Sequence, residues 1–470
     1  MRQQTMRKSK NILCSALFAS FMFIQLIILR MANQAGRGYL PDSSQEWVYC
    51  FIQVAVILGF LAHALIQRTL GDKRVYRASY AGGLVLCAVG AAVMLFGSES
   101  SAWYLAVTAV TVFALGYVGG AVYLRLALSA PGLRLGLCIG SGYAAAVALQ
   151  YGLQLMWGAA VPIALALVAA FIMLFAVFFR QSVDEDIPES QPGAASALTL
   201  VCSMIITAAL LLFTSYYNSY IHHLQVASGY TDYNVYSLPR LLMIPGILLF
   251  GFFGDFKKGR FLPVAALCMA VIALLNAVLT GSETYTLNMC LYYLAITASV
   301  AYYHLTFLRI APRTKRPALW AVMGRMIDSS VVILQFIAGF SRMSAVAVLV
   351  MDIVVLTAVI VAMAVSGGFN LSPDEKTVVV PERSDILPPE PEAGQPAADP
   401  LELVGERCSL TPTEQRVLRE LVQTDDKQDA IAASLNMSVN TLRHHITSIY
   451  KKTGVQTRSA LCKLAVTGDR

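Results

Sequence analysis

Between residues 11 and 366 the chain passes through about twelve apolar stretches, each of roughly the length that bridges a bilayer, ~20 residues of helix. They lie at approximately 11–30, 47–67, 78–97, 102–123, 133–156, 159–179, 197–217, 238–254, 262–281, 286–308, 318–340 and 344–366. No other feature restricts the fold as much. In hydrocarbon every backbone amide must find its partner inside its own segment or around a closed barrel. Stretches this long and this continuously apolar do so as helices. The first follows Arg7, Lys8 and Lys10, as a secretory signal would, but its apolar core is long for a signal and no A-x-A cleavage site follows. It reads as a span.

Hydrophobic residues make up 57% of the chain and charged residues 13%, against about 25% charged in soluble domains. That composition excludes an ordinary soluble enzyme. No catalytic constellation is visible, so the expectation is a non-enzyme without a cofactor. Seven of the nine cysteines (Cys14, Cys50, Cys87, Cys138, Cys202, Cys268, Cys290) lie in or at the ends of apolar stretches and read as small hydrophobes. Cys408 and Cys462 stand alone, and no CxxC spacing suggests a metal.

Charge sets the orientation. With the N-terminus inside, the inner segments hold 18 basic residues, from Arg2, Arg7, Lys8 and Lys10 through Arg68, Lys73, Arg74 and Arg77 to Arg309, Arg313, Lys315 and Arg316. The outer segments hold 4, namely Arg30, Arg37, Arg240 and Arg342. Basic residues are retained on the cytoplasmic side. The asymmetry predicts an even number of spans in a cell (inner) membrane, with both termini cytoplasmic.

Two inner loops repeat a pattern. Gly71-Asp72-Lys73-Arg74-Val75-Tyr76-Arg77 follows the second span, and Gly251-Phe252-Phe253-Gly254-Asp255-Phe256-Lys257-Lys258-Gly259-Arg260 follows the eighth. The repeat and the span count resemble the major facilitator superfamily over residues 1–366. The resemblance implies two six-helix halves. It also implies a glycine that lets helices approach, and an aspartate that accepts from a neighbouring helix end and from bases.

Ionisable residues are sparse inside the spans. Arg325 and Asp328, three apart on one helix, can pair on one face. They read either as a ligand-sensing or coupling site, or as a locked structural pair or a snorkelling arginine. Asp352 lies deeper in its span and joins them as a candidate. His63 and His304 lie near inner span ends, where a solvated or capping role is expected. The outer segment with Tyr216, Tyr217, His222, His223, Tyr230 and Tyr236 reads as an aromatic belt or a ligand mouth, and the two histidines have no third metal ligand nearby in sequence.

After Ser366 the chemistry changes. Residues 367–404 hold seven prolines and eight acids against Lys376 and Arg383. Such a segment cannot bury enough apolar surface to order itself. It reads as a solvated tether spanning roughly 35 Å as a coil.

Residues 405–470 read as a compact four-helix unit carrying ten basic and seven acidic residues. Thr411 or Thr413 caps its first helix, with Glu414 in the first turn. Val417, Leu418 and Leu421 face inward. Ile431 and Ala432 mark the second helix. Ser438 caps the third, whose inward face is Leu442, Ile446 and Ile449. Gly454 ends it, and Leu461 and Leu464 belong to the fourth. The segments Leu410-Thr411-Pro412-Thr413-Glu414, Ser438-Val439-Asn440-Thr441-Leu442-Arg443-His444-His445 and Ile449-Tyr450-Lys451-Lys452-Thr453-Gly454-Val455 closely resemble the LuxR-type helix-turn-helix. Thr413 stands where that family has arginine, Thr453 where it has leucine, and Asp425-Asp426 replaces a glycine-bearing turn.

The resemblance implies a recognition helix in the major groove of double-stranded DNA. The candidate contacts are Ser438, Asn440, Thr441, Arg443, His444, Thr447, Lys451 and Lys452. Arginine reads guanine and asparagine reads adenine, while lysines and threonines suit phosphate.

The fold expected is all-α: a polytopic membrane domain of two six-helix halves plus a four-helix LuxR-type domain. The function expected is a membrane-bound transcription regulator, dimeric through its DNA-binding unit, whose membrane domain senses an unknown small molecule. A solute transporter with a DNA-binding tail is the alternative, and sparse intramembrane charge argues against it. A mere anchor would need only one span.

Overall fold

The computed structural model describes residues 2–36, 40–69, 73–99, 101–129, 133–156, 160–180, 195–227, 238–259, 261–278, 285–338, 345–365, 404, 408, 410–423, 428–435, 437–453, 455 and 461. At residues 2–8, 215–227, 345–349, 352 and 451, among others, only the backbone is described. The chain divides into two compact units, Met1–Glu375 and Lys376–Arg470. Apart from Val404, the proline-rich segment 367–404 lies outside the described residues.

Among its described residues the first unit is built of helices and short turns, with no strand. Its helices are α1 (Arg2–Ala32), α2 (Asp42–Thr69), α3 (Lys73–Phe96), α4 (Ala102–Ser129), α5 (Leu135–Gln154) and α6 (Ala160–Arg180). Then come α7 (Ala197–Ala227), α8 (Met243–Asp255), α9 (Leu262–Val278), α10 (Tyr285–Ile310), α11 (Pro317–Ala338) and α12 (Ala345–Val365), with a 3-10 turn at Leu238–Leu242 leading into α8. Prolines mark several starts. Pro162, Pro245, Pro263 and Pro317 all sit in the first turn of their helices, where a missing N–H costs no intrahelical bond. Nine of the described helical segments are long and apolar enough to cross a membrane, so this is a multi-pass membrane protein.

Much of the packing repeats itself when the helix numbers are raised by six. Within the first half α2 packs on α4, α3 on α4, α1 on α6 and α1 on α4. Within the second, α8 packs on α10, α9 on α10, α7 on α12 and α7 on α10. The seam obeys the same rule, since α2 on α11 becomes α8 on α5, and both pairs are present. The unit is therefore two six-helix halves related by pseudo-symmetry, with α4 and α10 the most enclosed spans. The outer helices carry apolar stripes, such as Val161, Leu165, Val168 and Ile172 on α6. That face would be costly in water and is at home against lipid.

Lipid supplies no hydrophobic drive between helices, so close approach matters more. α5 and α8 cross at glycines: a Cβ on Gly136 would lie 2.0 Å from the Gly251 carbonyl oxygen. α2 and α4 cross at Gly59 and Gly116 in the same manner.

The second unit contains α13 (Pro412–Gln423), α14 (Gln428–Ser434) and α15 (Val439–Thr453). It has its own core, in which Val417, Leu418 and Leu421 of α13 meet Ile431 and Ala432 of α14 and Leu442, Ile446 and Ile449 of α15. Leu461 is buried with them. The rest of the expected fourth helix, Leu464 included, lies outside the described residues.

Candidate nucleic-acid interface and intramembrane cluster

α15 has three faces, and the sequence distributes them by helical period. Leu442, Ile446, Ile449 and Thr453 are buried in the core. Asn440, Arg443, His444 and Thr447 follow at i, i+3, i+4 and i+7, and all four are exposed. The third face carries Thr441, Ser448 and Lys452 and includes the contact with α13.

Local hydrogen bonds fix where the helices begin. The Thr411 hydroxyl accepts from the Glu414 amide at 3.3 Å, and the Glu414 carboxylate accepts from the Thr411 amide at 2.8 Å. This reciprocal box makes Thr411, not Thr413, the cap of α13. Ser438 accepts from the Thr441 amide at 3.1 Å and lies 2.8 Å from the Thr441 hydroxyl, so both residues serve the start of α15. The Thr447 hydroxyl donates to the Arg443 carbonyl at 2.9 Å.

Glu414 does more than its place in a first turn suggested. Its carboxylate also accepts from Ser448 at 2.6 Å and from the Lys452 ammonium at 2.7 Å. Burial pushes the carboxyl up, but the hydrogen bonds from Lys452, Ser448 and Thr411 outweigh it and hold the group down at about 2. One side chain thus caps α13 and pins α15 to it. The same geometry gives Lys452, expected on phosphate, a partner within the domain, with its side chain 34% exposed. The side chain of Lys451 lies outside those described. Thr453, where the resembled family has leucine, is buried and returns its hydroxyl to the Ile449 carbonyl at 2.7 Å.

In the membrane unit the second repeat loop behaves as its chemistry implies. Asp255 accepts from the Gly136 and Leu137 amides at the start of α5, at 2.7 and 2.8 Å, and faces Arg309 at 3.5 Å. An anion at a helix N-terminus is favoured by the helix dipole. Arg309 also donates to the Gly254 carbonyl at 2.5 Å. Gly259 adopts φ +82°, a left-handed conformation that glycine enters without penalty, and a Cβ there would strike Arg309. Gly71 and Asp72 of the first copy lie outside the described residues.

Arg325 and Asp328 do pair, at 2.5 Å, and the same guanidinium nitrogen donates to the Tyr303 hydroxyl at 3.1 Å. The pair belongs to a larger cluster. His304, beside Tyr303, stacks between Tyr303 and Tyr123. Its Nδ1 lies 2.8 Å from the Val300 carbonyl, which can only accept, so the network assigns the proton there. In that neutral tautomer Nε2 accepts from the Tyr123 hydroxyl at 2.8 Å. This bond joins α4 of one half to α10 of the other. A second link joins Gln150 of α5 to Arg240, in the turn before α8, at 2.8 Å.

The expected solvated histidines are corrected by these contacts. His304 is buried within the cluster. His63 is buried under Tyr76, which it meets at 2.9 Å, and under Gly120. α2 and α10 run past the apolar stretches that defined them, so the ends of those stretches are not the ends of the helices. Arg240, counted among outer charges, is likewise buried. The side chains of Asp352 and of Tyr216, Tyr217, His222, His223, Tyr230 and Tyr236 lie outside the described residues. Sequence reasoning missed Tyr123, Tyr143 and Tyr303. The signal was a tyrosine within or closing an apolar stretch, whose hydroxyl needs a partner once buried.

Fold and site thus define a polytopic membrane protein that carries a helix-turn-helix domain. Residues 408–465 match the family described as bacterial regulatory proteins, luxR family, so this domain is a LuxR-type helix-turn-helix, with the DNA binding that implies. No curated relative matches the sequence. Among solved structures the chain is similar to a bacterial homologue of the iron transporter ferroportin in an outward-facing state, with 13% identity, a TM-score of 0.49, and coverage of 77% of this chain and 98% of that one.

Proposed function

We propose that the protein is a membrane-bound transcription regulator whose membrane unit senses a small molecule and thereby alters DNA occupancy by its LuxR-type domain. The observation that carries this reading is the exposed polar face of α15, in a domain with its own core, on a chain whose other unit buries an ionic cluster among its spans. Asn440, Arg443 and His444 read bases, and Thr447 and Lys451 contact phosphate. Ser438, Thr441 and Lys452 hold the helix that presents them. Both termini are cytoplasmic in a cell (inner) membrane, as the basic asymmetry of the loops supports. The DNA-binding unit acts as a dimer, and 367–404 is its tether. Arg325 and Asp328, with Asp352, form the sensing site.

Footprinting with the full chain in membranes, using a promoter fragment selected by the protein, tests the reading. Arg443→Ala should relax base preference at one position per half-site, at a cost of about 1–3 kcal/mol. Uniform weakening at all positions would move Arg443 to the backbone. Occupancy unchanged by any effector would defeat sensing. One observation favours a second reading, a transporter with a regulatory tail: the two halves meet at a charged seam. Substrate-dependent flux in vesicles would support it.

A further inference from the structure

We infer that the Arg325–Asp328 pair is an exchange site for a small carboxylate, in which a ligand carboxylate replaces Asp328 on the guanidinium. The inference rests on the reading that this cluster senses a ligand.

Arg325 is permanently charged and lies deeper than its partner, with side-chain exposures of 12% and 27% for Arg325 and Asp328. Its contacts with Asp328 and Tyr303 both run through one terminal nitrogen, Nη1. Its buried Nε–H has no partner. A carboxylate binds guanidinium best across two parallel N–H groups, and Asp328 engages only one. The fork is therefore incompletely used.

A neighbouring hydroxyl points the same way. Ser329, one turn along α11 and 1% exposed, makes no hydrogen bond. Ser20, Ser299 and Ser330 each donate to the carbonyl four residues earlier, the ordinary resting place of a helical serine. Ser329 is turned away from that carbonyl. Buried polar groups in native proteins are nearly always satisfied. Here a guanidinium N–H and a hydroxyl one turn along the same helix, both able to donate, are buried without a partner.

Charge selects the class. A monoanion that displaces Asp328 keeps the buried centre neutral. A dianion would leave excess negative charge in the membrane, and a cation would face Arg325. Asp328, the more exposed partner, is the one that can be released. No covalent change is involved. The carboxylate can belong to a soluble acid or to a fatty acid in the bilayer.

Thermal unfolding of the full chain in detergent, with benzoate, decanoate and benzamide as probes, tests the idea. Benzoate or decanoate should raise the melting temperature, and benzamide should not. Protection by decanoate alone places the carboxylate on a membrane lipid acid, and protection by benzoate places it on a solute. Asp328→Asn removes the competitor and should tighten carboxylate binding about tenfold, the scale of one charge-assisted hydrogen bond. Ser329→Ala should weaken it several-fold, and Arg325→Gln should abolish it. If Arg325→Gln does not fold, the other two variants still decide. No protection by either acid, equal protection by benzamide, or weaker binding in Asp328→Asn would overturn the exchange. Carboxylate binding that leaves DNA occupancy unchanged would spare this inference and defeat the sensing reading. An Arg325-dependent response to other effectors, with no carboxylate binding, would do the reverse.

Discussion

Glu414 is the residue on which the DNA-reading unit turns. Its carboxylate closes the capping box with Thr411 and accepts from Ser448 and Lys452 across the α13–α15 contact. Glu414→Ala removes all of these at once and should cost on the order of 2 kcal/mol, the scale of charge-assisted hydrogen bonds. In a domain of this size that is a fall of roughly 10 °C in melting temperature, readable by circular dichroism. The pH dependence follows in sign. The folded carboxyl sits at about 2 against an ordinary 4.5. Its contribution is complete above 4.5 and drains away as the pH falls toward 2. A Glu414→Gln variant should show a flatter stability profile across that window, and an unchanged profile would remove Glu414 from this role. Lys452 makes a separate prediction. Each phosphate contact contributes about 0.9 to the slope of log affinity against log salt. Lys452→Met should lower stability and leave that slope where it was. A slope reduced by about 0.9 would return Lys452 to the phosphates.

At the scale of elements, the α5–α8 crossing is the tightest place at the seam of the two halves. A Cβ on Gly251 would sit 2.5 Å from the Gly136 carbonyl oxygen. Gly251→Val should therefore force the helices apart at a cost of about 1–3 kcal/mol or more, seen as reduced folded yield in detergent. Gly152, on the same α5, has open space where a methyl group would stand, with nothing within 4 Å. Gly152→Ala should be tolerated, since alanine is also the better helix former, and equal damage from both changes would mean that something other than the crossing is at issue. Helix ends and inward faces were legible because they are local: Thr411 with Glu414, Ser438 before α15, and Leu442, Ile446 and Ile449 at helical spacing. The role of Asp255 was legible from a repeated loop. Tyr123 and His304 were not, because they are 181 residues apart and no local pattern pairs them. Lys452 was not either. In sequence it is indistinguishable from Lys451, and only the packing of α13 on α15 gives it a partner.

For the molecule as a whole, the pseudo-symmetric bundle and the helix-turn-helix have separate cores joined by a proline-rich acidic segment. On the proposed function, with this segment acting as a tether, coupling is expected to run through local dimerisation or access of the DNA-binding units. Tethering raises the effective concentration of two weak units, on the order of millimolar for short flexible links. Replacing 373–400 by a flexible linker of equal length should preserve effector-dependent reporter expression. Loss of regulation with normal insertion would show that the linker carries a specific conformation. Reporter fusions after Ser366 and within 218–236 should lie on opposite sides of the membrane, and the same side for both would sink the topology. That one polypeptide holds both units also decides where transcription is controlled. A soluble regulator finds its operator by diffusing through the cell and sliding along DNA. This one is confined to a surface, so the search is made by the chromosome. A promoter it governs must visit the membrane to be read, and its mobility, as much as any affinity, sets how quickly it is bound.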